Sequence, residues 1–250
     1  MGTDESRYGR TETFYRPQPS SDAGKALVFI HGGAWIDEAC TPTVFKQLSA
    51  LLAHRSEQEL AYSLFSIDYR LSPNVRHPVH VQDVVENLYR LVEDHRLTSL
   101  QLVGHSVGAT LAWQTAVADE SLFPSLDRLN TVRSRLQGVF MVDGIYSLAQ
   151  LLDEYPNYDY FVSQAFADYT RDFEEFEQST DRLPETLRHI HLIHSYGDEL
   201  LSLRQSNYMS SVLQKARISF SSYFDDMGLH DEVPRNAKLA NYLLHNVKFA

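Results

Sequence analysis

The sequence has one cysteine, Cys40, in 250 residues. A disulfide framework within the chain is therefore excluded, which fits a reducing, intracellular setting. Long hydrophobic runs are missing too, and the apolar stretches present are too short to span a bilayer. The opening MGTDESRYGR is polar and acidic, so no secretory signal is expected and the expected location is cytoplasmic. MGTDES matches a loose myristoylation pattern through Gly2 and Ser6, but two acidic residues and no polybasic neighbour favour accident. Basic residues are scarce: 22 Lys and Arg against 33 Asp and Glu give a formal net charge of −11. Nucleic acid and anionic membranes both call for a basic face, so neither is an expected partner.

What remains is an ordinary globular composition, 43% hydrophobic and 12% aromatic. At 28.6 kDa the chain suits one α/β core and is read as a single domain, 1–250. Strand-like and helix-like periodicities alternate along it. ALVFI (26–30), AYSLFSID (61–68), LQLV (100–103), LQGVFMVDG (136–144), HIHLIHS (189–195) and RISFSSYF (217–224) read as strands. Between them, 41–55, 78–96, 107–118 and 200–216 carry apolar residues at helical spacing, and a last helix is expected over 234–247. Thr41 suits an N-cap, with Pro42 at the first helical position. Short links between alternating elements predict a mostly parallel twisted sheet with helices on both faces. Residues 148–185 break the pattern, mixing eight aromatic residues with the acidic run DFEEFE. They are read either as a helical cap inserted into the domain or as peripheral helices burying their aromatics in the core.

The stretch LVGHSVGATLAWQ (102–114) sets Ser106 between two glycines, after an apolar strand and before a helix. This is the context that a G-x-S-x-G nucleophile elbow requires. The helix would also aim its N-terminal dipole at the serine. In hydrolases of this architecture one oxyanion donor is the N–H after the nucleophile, here Val107, and another comes from a glycine-rich loop after an early strand. HGGAW (His31, Gly32, Gly33, Ala34, Trp35) follows ALVFI directly, and Gly32 and Gly33 permit close approach to a substrate oxygen. The plain alternative is a glycine turn with Trp35 in the core. Asp198, in SYGDELL, and His230, in FDDMGLHDEV, each follow a strand and complete the order Ser, acid, His. Asp143, also at a strand end, is the second candidate for the acid, and Glu199 a candidate to orient the loop. His189, His191 and His194 crowd one strand but lack carboxylate or cysteine partners at ligand spacing, so they read as structural. His245 reads as surface or packing, and Cys40 as a buried free thiol. No metal and no cofactor is expected.

Six segments together, HGGAW, DYRLSP (68–73), GHSVGAT (104–110), DGIYSL (143–148), HSYGDELLSLRQ (194–205) and GLH (228–230), look like the fungal kynurenine formamidases. Those enzymes are α/β-hydrolases related to the hormone-sensitive-lipase-like esterases. HGGAW and GHSVG indicate an esterase-like hydrolase; DGIYSL and HSYGDELLSLRQ are more particular to the formamidases. The resemblance implies hydrolysis of N-formyl-L-kynurenine to L-kynurenine and formate, in tryptophan breakdown toward NAD. It places the triad on Ser106, Asp198 and His230, with Ala34 standing where lipase relatives often carry a third glycine. Trp35 and the aromatics of 148–185 are then expected to line the site for the aryl ring, and a homodimer is left open. A general small-acyl carboxylesterase would use the same residues. A hydrolase fold turned ligand receptor would usually have lost one of the three.

Overall fold

The computed structural model describes residues 7–18, 24–55, 59–174, 176 and 179–249; Gly2 and Ser6 lie outside these. Its strands are β1 (Thr11–Tyr15), β2 (Lys25–Ile30), β3 (Ser63–Ile67), β4 (Ser99–His105), β5 (Leu136–Val142), β6 (His189–Ser195) and β7 (Ser221–Asp225). They form one sheet in the order β1-β3-β2-β4-β5-β6-β7. Every pairing is parallel except that of β1 with β3. The two central strands β4 and β5 are almost wholly buried, as a sheet covered on both faces demands.

The helices are α1 (Lys46–Arg55), α2 (Val79–His95), α3 (Val107–Val117), α4 (Leu126–Arg133), α5 (Leu148–Glu154), α6 (Asp159–Ala165), α7 (Tyr169–Asp172), α8 (Leu203–Lys215) and α9 (Ala237–Asn246). Two apolar clusters flank the sheet: α2, α3 and the 148–176 segment share one, and α1 and α9 share the other. All eleven residues of α3 are buried, which accounts for its apolar composition all round.

Several elements depart from the sequence pattern. The edge strand β1 and the helix α4 were not legible as separate elements. The 41–55 helix begins as a 3-10 turn, Pro42–Phe45, and the Thr41 side chain makes no cap hydrogen bond. The final helix also divides: a 3-10 turn, His230–Arg235, contains Pro234, and Asn236 then caps α9 by accepting the N–H of Lys238 at 2.7 Å. His230 therefore opens a turn of 3-10 helix. Strand β7 starts at Ser221 because Arg217 adopts a φ of 57° and closes the C-terminus of α8 first.

In the segment after β5, α5, α6 and α7 are short and linked by turns. Phe161, Phe166, Phe173 and Phe176 pack into the cluster that holds α3. Phe173 and Phe176 sit 5.5 Å apart, and Phe166 meets Phe173 edge-on at 5.7 Å.

Candidate active site

Strand ends converge on one edge of the parallel sheet, and the chemistry gathers there. Ser106 joins β4 to α3 with φ 56° and ψ −124°, a conformation a non-glycine residue holds only under constraint from its surroundings. The constraint is packing. A Cβ on Gly104 would lie 2.1 Å from Gly108 O, and one on Gly108 would lie 2.0 Å from Ile30 O. The first turn of α3 is thus pressed against the ends of β2 and β4, and both elbow positions accept only glycine. Ser106 is 7% exposed.

The HGGAW loop is fixed just as firmly. A Cβ on Gly32 would fall 2.8 Å from Ser106 Cβ, so this loop runs against the nucleophile candidate. His31 sends Nδ1 to Gly32 O at 2.9 Å and Nε2 to Asp68 Oδ1 at 3.0 Å, and its ring stacks on Tyr69 at 4.5 Å. Tyr69 donates its hydroxyl to Gly32 O at 2.7 Å. Gly33 O accepts from Ile36 N and Asp37 N. These carbonyls are thereby committed to partners in the loop and on Tyr69. Val107 opens α3, where the first N–H groups have no partner within the helix. Trp35 has a φ of 61° and is 1% exposed; its ring packs against Phe161 and edge-on to Phe166 at 5.2 Å. It therefore backs the aromatic segment from inside the core.

Asp198 and His230 meet directly. His230 Nδ1 lies 2.7 Å from Asp198 Oδ2, while Asp198 Oδ1 accepts the N–H groups of Leu200 and Leu201 at 2.9 and 2.8 Å. Glu199 accepts the backbone N–H of His230 at 2.9 Å and so holds the histidine's own turn. Burial pulls the His230 pKa down, but the hydrogen bond and charge of Asp198, with Asp143 and Asp231, leave it raised. The neighbouring ring of His105, 4.6 Å from that of His230, is held well below the ordinary value by burial and by His230. Among the described residues no hydrogen bond within 3.5 Å joins the Ser106 hydroxyl to His230. Catalytic contacts are often long in the unliganded state and tighten around a substrate. A cavity of about 160 Å³ opens beside His105, bordered by Asp37, Cys40, Asp231 and Arg235.

Contrary to the sequence expectation, His194 does have carboxylate neighbours: its Nδ1 lies 3.4 Å from Asp143 Oδ1, and Asp198 also stands within 4.8 Å. His191 bonds Tyr242 Oη at 2.9 Å and stacks on Phe140; His194 bonds Ser206 Oγ at 2.9 Å and Leu201 O at 3.2 Å. His245 lies exposed on α9 and bonds Asn241 O. Sequence reasoning assigned no part to Tyr69 or Ser195, although both lie inside quoted segments, DYRLSP and HSYGDELLSLRQ. A tyrosine two residues after a strand and a serine at a strand's last position were the available signals.

Residues 27–176 match the α/β-hydrolase fold family. The chain is 45% identical to the kynurenine formamidase of Eremothecium gossypii, over 95% of this chain and 97% of that one. The chain belongs to the kynurenine formamidase family. It is also 39% identical to the kynurenine formamidase of Saccharomyces cerevisiae, over 99% of this chain and 97% of that one. Among solved structures, esterase B of Lactobacillus rhamnosis is similar with a TM-score of 0.66 at 17% identity, covering 97% of this chain and 87% of its own. That likeness shows the shared α/β-hydrolase fold. Membership of the kynurenine formamidase family makes the protein an enzyme, a hydrolase. No helix among the described residues is long and apolar enough to cross a membrane.

Proposed function

We propose that this protein hydrolyses N-formyl-L-kynurenine to L-kynurenine and formate through a Ser106–His230–Asp198 triad. The observation that carries the reading is the 2.7 Å contact between His230 and Asp198, at the same sheet edge as a serine held in a nucleophile elbow. Family membership supplies the substrate.

His230 takes the proton of the Ser106 hydroxyl as its oxygen attacks the formyl carbon, and Asp198 holds the imidazole and stabilises its charged form. The oxyanion is received by the amide of Val107 with that of Gly32 or Gly33. The C–N bond then breaks as His230 passes its proton to the departing arylamine, leaving a formyl-serine. Water, deprotonated by His230, attacks that ester and releases formate. The aromatic segment 148–185 acts as a cap on the single domain, and the aryl ring lies against it. The reaction belongs to tryptophan breakdown, in a reducing cytoplasmic setting that suits a single cysteine.

The test is purified protein mixed with N-formyl-L-kynurenine, or separately with p-nitrophenyl acetate, following kynurenine absorbance and nitrophenolate release. Kynurenine formation is expected. Brisk ester turnover without it overturns the substrate assignment. Ser106→Ala retaining full activity overturns the mechanism.

A further inference from the structure

Asp143 directly follows β5 with a φ of 44°, another left-handed conformation imposed on a non-glycine residue. Its side chain is fully buried. Oδ1 accepts the N–H of Ser195 at 2.8 Å and stands 3.4 Å from His194 Nδ1. Ser195 in turn ties together the two loops above it. Its hydroxyl donates to Gly228 O at 2.6 Å and accepts from Met227 N at 3.0 Å and Gly197 N at 3.2 Å. Asp198 and His230 thus ride on loops that meet over one hydroxyl, and the residue bearing it is anchored on Asp143.

The second oxygen behaves differently. Oδ2 is buried and has no hydrogen-bond partner among the described residues. A carboxyl oxygen of Asp143 lies within 4.8 Å of a ring nitrogen of both His105 and His230. Anchoring Ser195 requires only an acceptor, which an amide oxygen supplies equally well. A carboxyl adds the ability to carry charge beside the histidine.

We propose that Asp143 is a positioning residue with two actions: it anchors both triad loops through Ser195, and in its ionised form it supports the imidazolium of His230. The inference rests on the triad reading above. Titratable groups face Asp143 from every neighbouring element: His105 at the end of β4, His194 on β6, Asp198 and His230 on the loops, and Tyr146 beyond β5. Burial, then the charge of Asp198, push its pKa up to about 7, against the lowering effect of the Ser195 N–H and of His230. Below that pH the carboxyl is neutral and the support is absent; above it the support is present. Because the two groups interact, their titrations are coupled.

Asp143→Asn keeps the acceptor for Ser195 and removes the charge. Profiles of kcat/KM against pH are compared with wild type on both N-formyl-L-kynurenine and p-nitrophenyl acetate. The expected deficit grows with pH, from near wild type at pH 6 to about three- to tenfold at pH 8.5, with the acid limb moved to lower pH. An equal loss at every pH, or no loss, overturns the charge-dependent action. NMR titration of the His230 imidazole reads the same coupling without substrate and is expected at lower pH in Asp143→Asn; an unchanged titration overturns the proposal. Ser195→Ala removes the anchor but keeps the carboxyl, and should lower kcat by one factor at all pH values. If it reproduces the growing deficit, the separation of the two actions fails. Should the formamidase reading itself be wrong, kynurenine formation is absent in wild type while the ester profile and NMR titration still report on Asp143.

Discussion

The hydroxyl of Tyr69 donates to the carbonyl oxygen of Gly32 at 2.7 Å, and also reaches that of His31 at 3.1 Å. One phenol, buried against the His31 ring, thereby helps fix the peptide planes of the HGGAW loop. Tyr69→Phe keeps the stacking and removes the hydrogen bond. If the HGGAW amides receive the oxyanion as proposed, it should lower kcat by about tenfold with little change in KM, since those donors lose their fixed orientation. The stability cost, read from urea unfolding, should be about 1 kcal/mol. A kcat equal to wild type would show that the loop holds its orientation without the phenol.

The acid limb of kcat/KM should lie above the ordinary histidine value. In the proposed mechanism His230 must be neutral to accept the serine proton, and although burial lowers its pKa, Asp198 outweighs that effect and leaves it raised. Asp198→Asn should move that limb down and reduce kcat by about 10⁴-fold. A larger loss in Asp143→Asn than in Asp198→Asn would reverse the assignment of the acid.

Acid lability follows chiefly from four other histidines, with His194 also lowered by burial. Burial pulls His77 and His191 down to about 4 and His80 to about 3, and holds His105 well below its ordinary value. Each is neutral when folded and protonates near pH 6.5 when unfolded, so its contribution is present above that pH and lost as pH falls toward the folded value. Asp143, raised to about 7, acts in the opposite sense and cancels roughly one of them. The raised pKa of His230 stabilises the fold fully below pH 6.5 and so does not add to the loss. Urea unfolding should show a net fall of about 3 kcal/mol between pH 7 and 5.5. A flat stability across that range would contradict it.

Cys40 should resist alkylation in the folded protein. Burial, then the charges of Asp37 and Asp231, push its thiol up to about 12. Only about one molecule in 10⁴ is then thiolate at pH 8. Iodoacetamide should label it rapidly in urea and very slowly without it. Fast native labelling would show a more open pocket wall than the packing describes.

Local pattern made the centre of this fold legible and its edges obscure. HIHLIHS is β6 to the residue: Ile190, Leu192 and Ile193 alternate with or adjoin histidines in a short stretch bounded by polar turns, a strand-like pattern. Ser106 was legible for a related reason: two glycines flanking a serine at a strand–helix junction have few other uses. β1 is TETFY, a half-exposed edge strand of mixed composition, and no periodicity separates it from a loop. Ser195 and Tyr69 escaped because their roles are set by carbonyls and amides on other loops, which leave no mark on side-chain spacing. The chain order and the formamidase-like segments already favour Asp198 over Asp143, and His230 Nδ1 does lie 2.7 Å from Asp198 Oδ2.

Arg7 lies outside the sheet, before β1, yet donates to Asp68 Oδ1 at 3.0 Å and to Cys40 O at 3.1 Å. Asp68 is the carboxylate that holds His31, and His31 opens the HGGAW loop. An affinity tag or protease trimming near Arg7 is therefore not a neutral change. It pulls on a chain of contacts that ends at His31, next to Gly32 in the loop that runs against Ser106. Kinetic constants from tagged and untagged preparations should be compared before either is taken as the enzyme's own.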